Sequence, residues 1–240
     1  MGIVIKKVAL YLCIRKPNTY FFMIRKILFT LSFSALCASL FAENPHKSTN
    51  MGGEVDVYVT YTPAEEVTLF LGEELTFANF LTPENGLFDA CNTVIGAAYT
   101  PHPNIALEAA YEFLYANATC MEHVLKLSAM PQVSLGDFSL SLQETGQMTY
   151  AVPENAYLWH LVSKLTLAYA IPETPLSPYA YVEMTNPLEA APASWYDELC
   201  YRAGLDWAVN KHNTLGLYYE FSHTPDSYFH LIGIGYTLSF

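Results

Sequence analysis

Charge is scarce in this 240-residue chain. Asp, Glu, Lys and Arg make up 14% of it, where an average soluble domain carries about 25%. Positive charge is scarcer still, with 11 Lys and Arg against 23 Asp and Glu. Six of those bases (Lys6, Lys7, Arg15, Lys16, Arg25 and Lys26) precede residue 43, in a stretch without a single acid. Beyond it stand only Lys47, Lys126, Lys164, Arg202 and Lys211, together with every acid. Such a surface repels phosphate backbones, which excludes nucleic acid as a partner. After Ala42 no charge-free window of 18 apolar residues occurs, so no transmembrane helix is predicted. Cysteine and histidine fall at no metal-ligand spacing, and no cofactor motif or internal repeat is present. What is abundant is apolar: 52% hydrophobic residues, 15% aromatic, and 18 Tyr. That composition excludes a disordered chain and a coiled coil.

The basic start reads as an address. Residues 23–42, MIRKILFTLSFSALCASLFA, order a basic pair (Arg25, Lys26), an apolar run from Ile27 and a small residue, Ala42, before polar Glu43. This is the order of a secretory signal peptide, spanning residues 1–42 with Met23 as the expected true start. Residues 43–53 are polar and end in two glycines, so they read as a flexible periplasmic leader to one domain over 54–240.

That domain alternates. In segment 104–115, Ile105, Leu107, Ala109, Tyr111, Phe113 and Tyr115 share a face opposite Asn104, Glu108 and Glu112. In 198–210, Leu199, Tyr201, Ala203, Leu205, Trp207 and Val209 oppose Arg202, Asp206 and Asn210. Period-two patterning of this kind means strands with one apolar and one polar face. A secreted β-sandwich would alternate likewise, but its strands average about 5–6 residues. Several segments here run longer, near the 9–11 residues a tilted membrane strand needs. Trp159 and Tyr169 lie ten residues apart on one face. That is roughly 25 Å along a membrane normal, the height of an apolar band between aromatic girdles.

The chain ends SYFHLIGIGYTLSF, with Tyr228, Ile232, Ile234, Tyr236, Leu238 and Phe240 in alternation. This terminus resembles the last strand of bacterial integral outer-membrane β-barrel proteins. The resemblance implies an outer-membrane location, contact with membrane lipid, and recognition of those residues by the barrel-assembly machinery. The fold expected is an all-β, antiparallel up-and-down transmembrane barrel of about ten strands, with twelve or eight as alternatives. The ten are 54–61, 90–100, 104–115, 122–130, 133–142, 157–171, 176–184, 198–210, 213–222 and 227–240. Residues 62–89 are then the largest outer loop, 143–156 and 185–197 are long loops, and Gly136 marks a bulge.

The polar faces carry the candidate site. Expected lumen charges are Asp56, Glu108, Glu112, Lys126, Lys164, Glu183, Arg202, Asp206 and Glu220. Of these, Glu108, Glu112, Lys126, Lys164, Arg202, Asp206 and Glu220 are expected in ion pairs, with Glu112/Lys126 and Arg202/Glu220 meeting across hairpins. Mixed charges in a narrow lumen are either a packed plug or a selectivity lining; the small interior of ten strands favours the plug. The function expected is a surface-structural barrel or a narrow, mostly closed pore. An outer-membrane lipid-modifying enzyme and a soluble binding sandwich are the alternatives; the enzyme would use His123, His160, Ser222 and His223 near the strand ends. Export permits a Cys91–Cys120 disulfide, leaving Cys200 free to link an envelope partner. Acidic loops (Glu65, Glu66, Glu73, Glu74, Glu84, Asp89, Glu189, Asp197 and Glu198) could hold divalent cations.

Overall fold

Long strands with one apolar face can satisfy every backbone hydrogen bond inside a membrane only by closing into a circle. The computed structural model describes residues 48–77, 88–116, 120–188 and 196–240. They form β1 (Ser48–Ala64), β2 (Val67–Phe77), β3 (Phe88–His102), β4 (Ile105–Ala116), β5 (Cys120–Leu135), β6 (Phe138–Ala151), β7 (Ala156–Tyr169), β8 (Leu176–Pro187), β9 (Glu198–Asn210), β10 (Asn213–His223) and β11 (Ser227–Ser239). Each strand pairs with the next in sequence, and β1 pairs with β11 to close the barrel. Neighbours in sequence run antiparallel, whereas β1 and β11 run parallel, from Ser48↔Ser227 to Thr60↔Ser239.

The strand count is therefore eleven, not ten, and neither even alternative holds. Residues 67–77 form a membrane-length strand where an outer loop was expected. The sequence pattern offers 66–71 and 74–81 as two strands of a hairpin, which would make the count twelve if both crossed the membrane; the structure instead runs one strand through Gly72 and Glu73 to Phe77. Gly72 lies extended under the ring of Tyr58, and the Glu73 and Glu74 carboxylates point to opposite faces. The strand count also changes the leader: Ser48–Gly53 belongs to β1 and pairs with β11. Gly136 is not a bulge. It sits in the turn between β5 and β6 at φ +66°, a left-handed conformation that favours glycine. The expected break at 130–132 is strand, and of the long loop expected at 143–156 only the four-residue turn 152–155 remains.

Tight turns at 65–66, 103–104, 136–137 and 211–212, with the connection 170–175, share one rim with Phe240. The other connections share the opposite rim with Ser48. The parallel closure therefore puts Ser48 and Phe240 at opposite rims, where an even count would have put them together. With strands about 4.8 Å apart and tilted about 40°, eleven of them give a backbone diameter of about 22 Å.

Alternation now has a physical meaning. Leu127 is 60% exposed and Ile95 56%, while Val94 next door is 4%. The apolar face points out and the polar face points into the lumen. Tyr61, Tyr99, Trp207 and Tyr236 edge the outer face toward the tight-turn rim, and Tyr115, Tyr157, Trp159 and Tyr201 edge it toward the other. These positions suit rings with an apolar body and a polar tip.

Candidate functional site in the barrel lumen

The lumen is built in two unlike halves. On β8–β11 and β1–β3 the inward positions include Tyr179, Tyr181, Tyr218, Phe229, Tyr58 and Phe70. Several of these rings lie flat on glycines of the next strand. Tyr218 covers Gly233, Tyr58 covers Gly72 and Tyr179 covers Gly204. A Cβ at Gly233 would collide with the Tyr218 ring, so only glycine allows that approach.

Arg202 on β9 is the hub of this half. Its Nη2 lies 2.6 Å from Glu220 Oε2 on β10 and 3.4 Å from Glu54 Oε2 on β1. Its Nε donates to Glu220 at 2.7 Å. The guanidinium stacks over the Tyr218 ring, 3.9 Å from the centroid. The Tyr218 hydroxyl lies 2.6 Å from both Glu54 Oε2 and Asp56 Oδ2, bridging β10 to β1 across β11. Tyr181 donates to Glu220 at 3.1 Å. Beside it, Lys164 reaches Glu183 at 3.0 Å and lies 4.3 Å from the Tyr181 centroid.

The chain of contacts continues through Tyr58, which donates to Glu74 on β2. Asn92 on β3 donates to Glu74 at 2.8 Å and to Glu112 at 3.5 Å. Glu112 on β4 meets Lys126 on β5 at 2.6 Å. Lys126 is directly opposite Ala110 and reaches Glu112 diagonally.

On β4–β7 the inward face carries no Phe, Tyr or Trp. It carries Glu108, Ala110, Glu112, Val124, Lys126, Ser128, Gln143, Thr145, Gln147, Val162 and Lys164. A cavity of about 800 Å³ lies against these residues, reaching to Tyr58, Thr60 and Phe70 on the far side. Ser128 and Thr145 bond to each other at 2.8 Å on its wall.

All nine expected lumen charges point inward, but not all of them are in ion pairs. Glu112/Lys126 and Arg202/Glu220 meet as expected. Lys164 takes Glu183, and Arg202 also takes Glu54. Among the described residues no cation lies within ion-pair distance of Glu108 or Asp206, so the expectation of ion pairs at these two is corrected. Glu54 and Glu74 were not among the expected charges; Glu54 shares the alternation of Asp56, which is the signal that could have found it.

The rim residues do not converge on one site. His123 points outward and bonds the Tyr111 hydroxyl at 2.5 Å. His160 points inward and pairs with Asp197 at 3.1 Å. Ser222 faces the lumen and is buried, whereas adjacent His223 faces outward toward Tyr196. Adjacent strand residues face opposite sides, so Ser222 and His223 cannot act as nucleophile and base. Cys91 is a free thiol on the outer face, donating to Glu73 at 3.2 Å. The side chain of Cys120 lies outside the described residues. Cys200 is free and buried on the lumen side.

The expected acidic loops are dispersed. Glu73, Glu74 and Glu198 are strand residues, and Glu65 and Glu66 form a tight turn. Glu84, Glu189 and the signal segment 1–42 lie outside the described residues. Among the described side chains, two strand acids stand on the outer face: Glu73, bonded by Thr93 at 3.0 Å, and Glu144, bonded by Ser163 at 2.7 Å. Tyr228, Ile232, Ile234, Tyr236 and Leu238 line the outer face of β11. Phe240 follows that strand, its N–H donating to Thr60 and its carbonyl accepting from Thr62, both at 3.0 Å.

No protein-family model matches the chain, and no curated protein matches it. Among solved structures, a porin refined at 1.8 Å resolution is similar at 15% identity with a TM-score of 0.33. The match covers 68% of this chain and 59% of the porin's, so the chain spans less than two thirds of the porin's length. A likeness that distant carries no argument; the barrel rests on its own strand pairing.

Proposed function

We propose that the chain is an integral outer-membrane β-barrel whose lumen is a narrow, mostly closed pore. The outer surface supports the membrane setting. An apolar band edged by Tyr and Trp is stable against lipid and would be an aggregation hazard in water. The observation that carries the pore reading is the Arg202 hub, which ties β9, β10 and β1 together over the lumen face of β11 at 2.6 and 3.4 Å. A side-chain lattice of that kind fills half of an eleven-strand interior and leaves the β4–β7 half for water and small ions. Inward acids outnumber inward bases, which favours cations over anions.

Planar-bilayer recording of the purified, refolded barrel tests this. The expected result is small, cation-preferring single-channel currents, with no liposome swelling in sugars. Swelling as fast as with a wide general porin would refute the closed half. Release of the chain from membranes by carbonate would refute the membrane barrel itself. A barrel that is membrane-held and silent would be surface-structural.

A further inference from the structure

Inward carboxylates outside any ion pair among the described residues include Asp206, away from the open cavity, Glu198, at its edge and bonded by Ser222, and Glu108, on its β4–β7 wall. Glu108 lines the 800 Å³ cavity and has neither an ion-pair nor a hydrogen-bond partner among the described residues. The two lysines on the same wall make their ion pairs elsewhere, Lys126 with Glu112 and Lys164 with Glu183, and act on Glu108 only from beyond ion-pair distance. Register fixes Glu108 between them. Lys126 is opposite Gln147 and Lys164 opposite Gln143. Glu108 is opposite Ser128, which is opposite Thr145, the residue midway between those two glutamines. The carboxylate is therefore level with a hydroxyl pair and flanked above and below by amides.

We infer that Glu108 is where a small hydrated monovalent cation rests as it crosses the open half of the lumen, and that this residue sets the pore's charge selectivity. The inference rests on the pore reading above. A small anion finds no free positive partner on this wall, because each ammonium already faces a carboxylate. A cation finds at Glu108 a carboxylate outside any ion pair, with four neutral oxygen-bearing side chains (Ser128, Thr145, Gln143 and Gln147) to replace part of its water. The far wall, Tyr58 and Phe70, offers bulk and no cation. Conduction requires a site attractive enough to enter and weak enough to leave, and a single half-buried carboxylate meets that requirement.

The test is reversal-potential measurement in a potassium chloride gradient across a planar bilayer. It compares the wild-type barrel with Glu108→Gln, Glu108→Lys and Glu144→Gln. Glu144→Gln removes a carboxylate from the outer face of the same wall and serves as the control. Glu108→Gln is expected to lower the potassium-to-chloride permeability ratio about fivefold, the Boltzmann factor for one unit charge at contact distance in water. Glu108→Lys is expected to invert the preference, while Glu144→Gln keeps the wild-type ratio. Retention of heat-modifiable mobility in SDS establishes that each variant is closed. A conducting, cation-selective wild type whose ratio is unchanged in Glu108→Gln overturns this inference and leaves the pore reading standing. A silent wild type overturns both.

Discussion

Arg202→Ala is the sharpest test of the lumen lattice. The substitution removes the cation shared by Glu220 and Glu54 and empties the space over the Tyr218 ring. The side chains of Arg202, Glu220 and Glu54 are 20%, 15% and 14% exposed, so lumen water screens them only in part. Breaking a buried pair by removing one partner costs about 3–5 kcal/mol, because the other charge is left uncompensated. Residual solvation places the expected loss near the lower end, about 3 kcal/mol. Equilibrium unfolding in urea from phospholipid vesicles, followed by tryptophan fluorescence, reads it as a lower midpoint at unchanged slope. A second variant separates lost charge from lost packing. Arg202→Met with Glu220→Leu replaces the pair by apolar groups of similar bulk and should recover at least about 1 kcal/mol over Arg202→Met alone. If Arg202→Ala stays within about 0.5 kcal/mol of wild type, as an ordinary surface substitution would, the hub carries no stability and the filled half-lumen is wrong.

Five further outcomes are expected. Tyr218→Phe removes the hydroxyl between Glu54 and Asp56 and should cost about 1.5–3 kcal/mol, as for a hydrogen bond to a charged group; Gly233→Ala, which forces the Tyr218 ring off β11, should cost at least as much in the same unfolding assay. Cys91 should react with a membrane-soluble maleimide and resist a charged thiosulfonate, since it sits on the outer face; preferential labelling by the charged reagent would reverse the facing assignment. Deleting Phe240 should slow insertion, read as loss of the heat-modifiable band, and Edman sequencing of the exported chain should begin at Glu43.

Period-two alternation was enough to say which face of most strands points inward, because facing follows directly from the pleat. That is why Arg202 and Glu220, one strand apart and level, could be paired from the sequence. Lys126 and Glu112 came out as a pair too, though they meet along a diagonal that alternation does not specify. Glu54 on Arg202 was not legible. The two residues are separated by 148 positions and meet only because the circle closes. The strand that altered the count, β2, hid behind Gly72–Glu73, where the pattern breaks between 66–71 and 74–81. A local reading takes that pair for the turn of a hairpin, and only Tyr58 on one side and Thr93 on the other show it as extended chain. The uneven filling of the lumen was available all along in the absence of inward rings between Glu108 and Lys164, but it acquires meaning only once those strands are known to be neighbours.

Four tight turns and the connection 170–175 join strands at the Phe240 rim, and β11 has a hairpin partner, β10, on one side only. Its remaining edge must wait for β1, and the two are joined through contacts such as Thr60 with Ser239, separated by 179 positions. No local contact can nucleate that joint, so the loop-closure entropy of nearly the whole domain falls on it. The parallel ladder it forms is slightly weaker per residue than its antiparallel neighbours. Tyr218 and Arg202, reaching from β10 and β9 over the glycines of β11 to Glu54 and Asp56, therefore act as a clasp. They fasten from inside the one joint that the order of the chain leaves until last.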